Sequence, residues 1–454
     1  MRVRQGVGRL GRLVAIVIVA AGAIWSSGAA AQGAGAPASP TSVAPVTVTR
    51  LANGLSVVLS EDHRLPIVGA SLRYEVGTKD DPSGLTLLIP RMMLHESAHL
   101  AEGAYARLLL NAGAVDSTWG VGIDDTTFSV SLPASRWNLA LWLWSEQMTF
   151  FSGHLDDAQL AKTIALTRED TNRRVSSVTD GALEEVFRRE LYPPGHPYHD
   201  APRGLGPSLP SASVVRAVAE RLYVPSRATI SLVGDFDSAQ VLALVGRYFG
   251  GIPAGQPDLR PVPLDRAFET RLEYTANVDL ESVSIAYRLP TRVDVAAFLA
   301  LESALGSGSG SRLSWALEDT VAAAEASFYR RKLNPELRIV LKVRKNRTVD
   351  QALAALNGFL GSTADLSDRT IDRAIVHADM DRELETVRQR SAFNARATAL
   401  AYPSMTTPTR AGVRAAFAML RSASQVVAVV RRSPGASVAG ELQSRSRTER
   451  PALP

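Results

Sequence analysis

The 454-residue chain contains no cysteine. Disulfides, thiolate nucleophiles and cysteine-bound metals are therefore all excluded. It also lacks any block of like charge. Fifty Lys and Arg stand against 45 Asp and Glu, and part of the net +5 comes from the N-terminal arginines, so no basic patch marks a nucleic-acid partner. Past residue 31, no stretch approaches the about 18 apolar residues of a membrane span. Stability must then come from packed cores, and an apolar fraction of 46% over this length is enough for two domains.

What is present first is a leader. Arg2, Arg4, Arg9 and Arg12 precede the apolar run "LVAIVIVAAGAIW", and Ala29-Ala30-Ala31 comes just before Gln32. Residues 1–31 thus have the shape of a cleaved secretory signal, with an uncleaved anchor as the alternative. Residues 32–46, rich in Gly, Ala, Pro and Ser, read as a flexible linker. "LSVVLSEDHRLPIVGASLRYEVGT" predicts two strands around a turn, and helical periodicity follows through 84–112. "TTFSVSLPASRWNLALWLWSEQM" predicts a strand and a helix, whose Trp142 and Trp144 belong to core rather than to a partner surface. "ATISLVGDFDSAQVLALVGRYFGGIPAG" predicts strand, turn and helix, with Asp237 as N-cap.

The proline-bearing stretch 255–266 divides the chain, and the second half loosely repeats the first. "SVSIAYRLP" stands as "GASLRYEVG" does, and 403–430 echoes 207–234 as Pro/Ser entry, helix and apolar strand. The expectation is an α+β protein of two related α/β-sandwich halves, 47–254 and 267–435, each with an antiparallel or mixed sheet and helices packed on it. Residues 436–454 read as a tail.

The string His95-Glu96-Ser97-Ala98-His99 has the spacing of a zinc-peptidase helix, with two imidazoles on one face and a glutamate base between. If a helix starts at Pro90, a residue welcome in a first turn, the string is helical and His95 and His99 share a face. A third ligand is then needed, and only Asp116, Asp124 and Asp125 lie near in sequence. The other histidines, His63, His154, His196, His199 and His377, are scattered; His196 and His199 sit in the turn-rich "PPGHPYHDAP".

"RLANGLSVVLSEDHRLPIVGASLRYEVGTKDDPSGL", "HPYHDAPRGLGPSLPSASVVRAVAERLYVPSRATISLVGDFDSAQVLALVGRYFGGIPAG" and "LGSGSGSRLSWAL" (305–317) resemble the insulinase-like, or pitrilysin-type, M16 zinc metallopeptidases over roughly residues 47–435. The resemblance implies an inverted His-x-x-Glu-His on the helix that opens at Gly84-Leu85-Thr86. Its ligand, base and ligand positions here are Leu87, Pro90 and Arg91. Leucine and proline offer no side-chain lone pair, and a guanidinium repels a cation. Glu169 stands near the place of the distal ligand, and one carboxylate alone does not hold zinc. His95 lies about 12 Å further along a helix and roughly 80° around it, away from that cleft. The second-half arginine and tyrosine that hold substrate in active relatives are matched by Glu318 and Ala324, with Tyr329 and Arg330 just beyond.

The expectation that follows is a non-catalytic family member exported to the periplasm, with no cofactor. It would close the peptide chamber of a heterodimeric peptidase beside a catalytic subunit carrying the intact zinc motif. Extended peptides would add as strands to a sheet edge. The alternatives are an active zinc endopeptidase using His95, Glu96 and His99, and a stand-alone peptide-binding or chaperone-like module.

Overall fold

The computed structural model describes residues 45–449, apart from 96, 152–154, 156, 176–179, 257–261, 263–267, 307–311, 363–365, 392–396, 398–406 and 435–440. The signal and nearly all of the first linker, most of the second linker, Glu96, His154 and part of the Gly-rich turn therefore lie outside the described residues.

The described residues form two six-stranded mixed sheets. The first contains β1 (Thr47–Arg50), β2 (Ser56–Glu61), β3 (Ile67–Tyr74), β4 (Val115–Val121), β5 (Thr126–Pro133) and β6 (Ala228–Gly234), in the order β1-β2-β6-β3-β5-β4. The second contains β7 (Phe268–Ala276), β8 (Ser282–Arg288), β9 (Val321–Tyr329), β10 (Glu336–Val343), β11 (Ser424–Arg432) and β12 (Glu441–Glu449), in the order β12-β7-β11-β8-β10-β9. Placed side by side, β2, β6, β3, β5 and β4 correspond to β7, β11, β8, β10 and β9. The directions match as well, since β2/β6 and β7/β11 are the parallel pairs. The repeat is thus a property of topology, and "SVSIAYRLP" does take the place of "GASLRYEVG". One boundary differs from the sequence expectation. The stretch 436–454, read as a tail, supplies β12, which pairs antiparallel with β7 along the sheet edge.

The helices are α1 (Leu85–Met93), α2 (Ala104–Asn111), α3 (Asn138–Phe150), α4 (Asp157–Val175), α5 (Asp180–Leu191), α6 (Pro197–Asp200), α7 (Ala212–Leu222), α8 (Ser238–Phe249), α9 (Val295–Leu305), α10 (Arg312–Ala316), α11 (Val349–Gly361), α12 (Asp368–Ser391) and α13 (Arg410–Met419). Asp237 caps α8, accepting from the Gln240 N–H at 2.8 Å. Strand alternation sets the layering. On β3, Val68, Ala70, Leu72 and Tyr74 enter the apolar core beneath the first-half helices, together with Trp144 and, half-buried, Trp142. The same strand turns Ser71 and Arg73 to the opposite face, where Ser129, Ser131 and Ser231 are also buried.

Each half lends cover to the other's back face. Phe187, Leu191, Tyr192 and Tyr198 of the first half pack on Phe268, Leu272, Ala286, Val426 and Ala428 of the second sheet. In return Ala397 packs on Ile67 and Val233, and its carbonyl accepts from the Ser231 hydroxyl. Polar clasps reinforce the contact. Tyr198 Oη donates to Asp124 at 2.8 Å and accepts from the Leu333 N–H at 2.8 Å, while Lys332 N–H reaches the same carboxylate at 3.0 Å. Among the described residues, no helix is long and apolar enough to cross a membrane.

Candidate functional site

The site is built on α1. Asp81 fixes the start of that helix by accepting from the Leu85 N–H at 2.8 Å and the Ser83 hydroxyl at 2.6 Å. Gly84 is left-handed at φ 84°, and a Cβ there would lie 2.4 Å from the Gly204 carbonyl oxygen, so only glycine fits. Leu87 is half-buried, Pro90 is buried and Arg91 is partly exposed. The Arg91 guanidinium pairs with Asp170 of α4, and its Cζ lies 5.5 Å from the centre of the Trp119 ring on β4. A hydrocarbon chain, a pyrrolidine ring and a paired cation offer a zinc ion no electron pairs, so the residues present do not fit the metal. Glu169 faces outward; the carboxylate turned to Arg91 is its neighbour.

Pro90 sits inside α1 rather than at its beginning. Lacking an N–H, it leaves the Thr86 carbonyl without its i+4 donor. Tyr223 supplies a replacement: its hydroxyl lies 3.3 Å from that oxygen and 3.4 Å from Thr126 Oγ1. The phenol is fully buried, and burial raises its pKa far above the usual range, so it remains a donor.

Because α1 runs through Pro90 and ends at Met93, the helical reading of residues 95–99 is overturned. His95 is in a turn and Ser97 bridges Leu100. The local reason is Glu146, buried on α3. It accepts from the Ser97 hydroxyl at 3.0 Å and holds His99 Nδ1 at 2.9 Å, which pulls the segment out of helical geometry. The Ser97 hydroxyl and the His99 imidazole thus share one oxygen of the Glu146 carboxylate. None of the three aspartates joins this group. Asp124 is held by Tyr198 and Lys332, Asp125 by Arg73 at 3.1 Å, and Asp116 is exposed on β4. Among the described residues, no three His, Asp or Glu side chains converge as a metal site.

The other described histidines lie apart from this group. His63 lies 2.6 Å from Asp235, His199 pairs with Asp200 and His377 is exposed on α12. His196 caps α6: its Nδ1 accepts from the Tyr198 N–H at 3.0 Å, and its ring stacks on Tyr192. Burial pushes its pKa down to about 4. In the second half Glu318 is exposed in the turn after α10, and Ala324 is buried in β9. Arg330 is exposed just past the end of β9. Tyr329 lies under the guanidinium of Arg338, 4.4 Å from its Cζ, beside the Glu184–Arg331–Arg338–Glu336 network that joins the halves.

Two elements matter beyond the inherited positions. β4 ends the first sheet, mostly exposed and paired only with β5 among the described residues, so one row of its backbone groups faces outward. Asp170 was within reach of helical spacing. Leu160, Thr163, Ile164 and Thr167 form the buried stripe of α4, which continues to 170 and 171 and leaves 169 outside. Tyr223 and Glu146 carry no such local signal, because their roles depend on contacts far apart in sequence.

Residues 211–375 match the family model described as the peptidase M16 inactive domain. No curated protein matches the chain. Among solved structures, it is similar to a protease from Helicobacter pylori, with a TM-score of 0.70 and 16% identity over 86% of this chain and 100% of that one. A peptidase M16 inactive domain from Pseudomonas fluorescens matches with a TM-score of 0.67 and 20% identity over 86% and 98%. The first half of the periplasmic protease PqqL from Escherichia coli matches with a TM-score of 0.66 and 16% identity over 87% and 92%. At these identities the likeness establishes the fold.

Proposed function

We propose that the chain is a degenerate member of the insulinase-like M16 peptidase family, whose inactive-domain model matches residues 211–375, and that it works as a non-catalytic subunit. It closes a peptide chamber beside a catalytic chain bearing an intact zinc motif. The observation that carries this reading is the set Leu87, Pro90 and Arg91. The three positions that should ligate and activate a metal-bound water have no electron-pair donor, and the cation among them is neutralised by Asp170. The scaffold around them is intact. β4 retains an outward row of backbone groups to which an extended peptide adds as a strand. The leader-like residues 1–31 support export to the periplasm, where such a pair would work.

Three hydrolysis assays on one peptide set test the proposal: this chain alone, a zinc-bearing family member from the same cell alone, and the two mixed. Activity well above the partner's own, appearing only in the mixture, is the expected result. Hydrolysis by this chain alone, with stoichiometric zinc that disappears in His95→Ala, would establish the active-zinc reading instead. Peptide binding without complex formation would favour the stand-alone module.

A further inference from the structure

The edge strand is also equipped to choose among peptides, an inference that rests on the peptide-adding role given above to β4. Its usable run is short. Between Val115 and Thr118 the register with β5 slips through a bulge, with Asp116 at φ 52°. Past Val121 the chain turns away, and the carbonyls of Gly122 and Ile123 accept from the N–H groups of Thr78 and Lys79. Regular pairing therefore covers Thr118–Val121, opposite Thr126–Ser129. On one face of this run Gly120 leaves open space, since a Cβ there would meet nothing within 4 Å.

Trp119 stands on the other face. It is paired with Phe128, and the residue is 38% exposed with the Arg91 guanidinium beside its ring. Adjacent strands lie about 4.8 Å apart, and directly opposed side chains about 5 Å. A side chain across from Trp119 on an added strand would thus rest against the indole and next to the guanidinium. Asp170 decides which kind is favoured. A carboxylate arriving there meets the charge of Asp170, and an ammonium meets that of Arg91. An aromatic ring is repelled by neither, and gains from stacking on the indole and from the adjacent cation. We propose that Trp119, backed by Arg91, selects an aromatic side chain in a peptide strand of about four paired residues added to β4.

The test uses the full chain and two fluorescein-labelled, end-capped heptapeptides, Ser-Thr-Val-Phe-Val-Thr-Ser and the same sequence with Ala for Phe, followed by fluorescence anisotropy. The Phe peptide is expected to bind about threefold to tenfold tighter. Trp119→Ala should bring the two affinities together while the Ala peptide binds as before. Arg91→Met should shrink the preference, and Arg91→Lys should retain most of it. Thermal melts of each variant confirm that the fold is kept. A preference unchanged in Trp119→Ala, or equal binding of both peptides to the unmodified chain, overturns the assignment and leaves the edge-binding reading standing. Failure of both peptides to bind overturns that reading together with this one.

Discussion

The pairing of Pro90 with Tyr223 gives the sharpest prediction about how this chain tolerates its altered helix. Removing the hydroxyl in Tyr223→Phe leaves the buried Thr86 carbonyl without a donor, since residue 90 has no N–H to offer. An orphaned buried acceptor costs about 1–3 kcal/mol. The bond replaced here is long at 3.3 Å, so a loss of about 1–2 kcal/mol is expected. Pro90→Ala restores the helical N–H and removes the ring's clash with the preceding turn, which should offset the lost ring packing. The informative quantity is the coupling. In the Pro90→Ala background Thr86 has its i+4 donor again, so Tyr223→Phe should cost about 1 kcal/mol less than in the unmodified chain. Urea unfolding of the four proteins closes the cycle, provided the slopes agree. Equal costs of Tyr223→Phe in both backgrounds would show that the phenol does not stand in for the missing amide.

Three further outcomes follow from other contacts. His196 is fully buried with its pKa pushed down to about 4, so in the pH window between its ordinary value and about 4 the unfolded chain binds a proton that the folded chain refuses. Stability is therefore full above about pH 6.5 and falls by roughly 2 kcal/mol at pH 5, a drop that His196→Asn should lessen in urea titrations at the two pH values. Gly84→Ala meets both a left-handed backbone and the Gly204 carbonyl, and should lose at least about 2 kcal/mol by the same method. Burial opposes the charge on Glu184, yet Arg338 and Arg331 hold its carboxyl below the usual range. Glu184→Gln should cost about 2 kcal/mol and raise hydrogen exchange where α5 meets the second sheet, because it leaves two guanidinia with only Glu336 between them.

The repeat was legible because each copy carries its own local signals. Asp237 announced α8, and the Pro/Ser entry followed by an apolar strand announced both α7–β6 and α13–β11. The fold was obscured where local pattern and long-range contact disagree. Helical periodicity runs through 84–112, yet Gly103 is left-handed at φ 71° and Glu146, some 50 positions away, draws Ser97 and His99 into a turn. β12 stayed hidden for another reason. It lies at an edge, and the described residues Ser444–Thr448 are exposed, so it has no apolar alternation to read, only a neighbour, β7, that pairs with one row of its backbone groups. At the site, the residue types at 87, 90 and 91 are enough to show that these positions offer a metal no ligands. The identity of Arg91's partner is not shown by them, because it depends on the phase of α4, where the buried Thr163 and Thr167 turn Asp170 inward and Glu169 outward.

Two of those three positions are matched by compensation rather than left as damage. A partly buried guanidinium without a partner, or a buried carbonyl without a donor, would each cost of order 1–3 kcal/mol, a sizeable fraction of a domain's net stability. Here Asp170 neutralises the first and Tyr223 approaches the second, and both contacts tie α1 to its neighbours: α4 in one case, the segment after α7 in the other. The ion pair joins α1 to α4 where the resemblance would place a metal. Both contacts hold α1, which sets Arg91 against Trp119 of β4, and so suit the proposed role of presenting an edge to a peptide. Arg91→Ala, which breaks that link without restoring any ligand, should therefore loosen α1 and α4 in hydrogen exchange and create no affinity for zinc. Tight zinc binding by that variant would mean that the cleft still holds a ligand set and that the guanidinium had merely been blocking it.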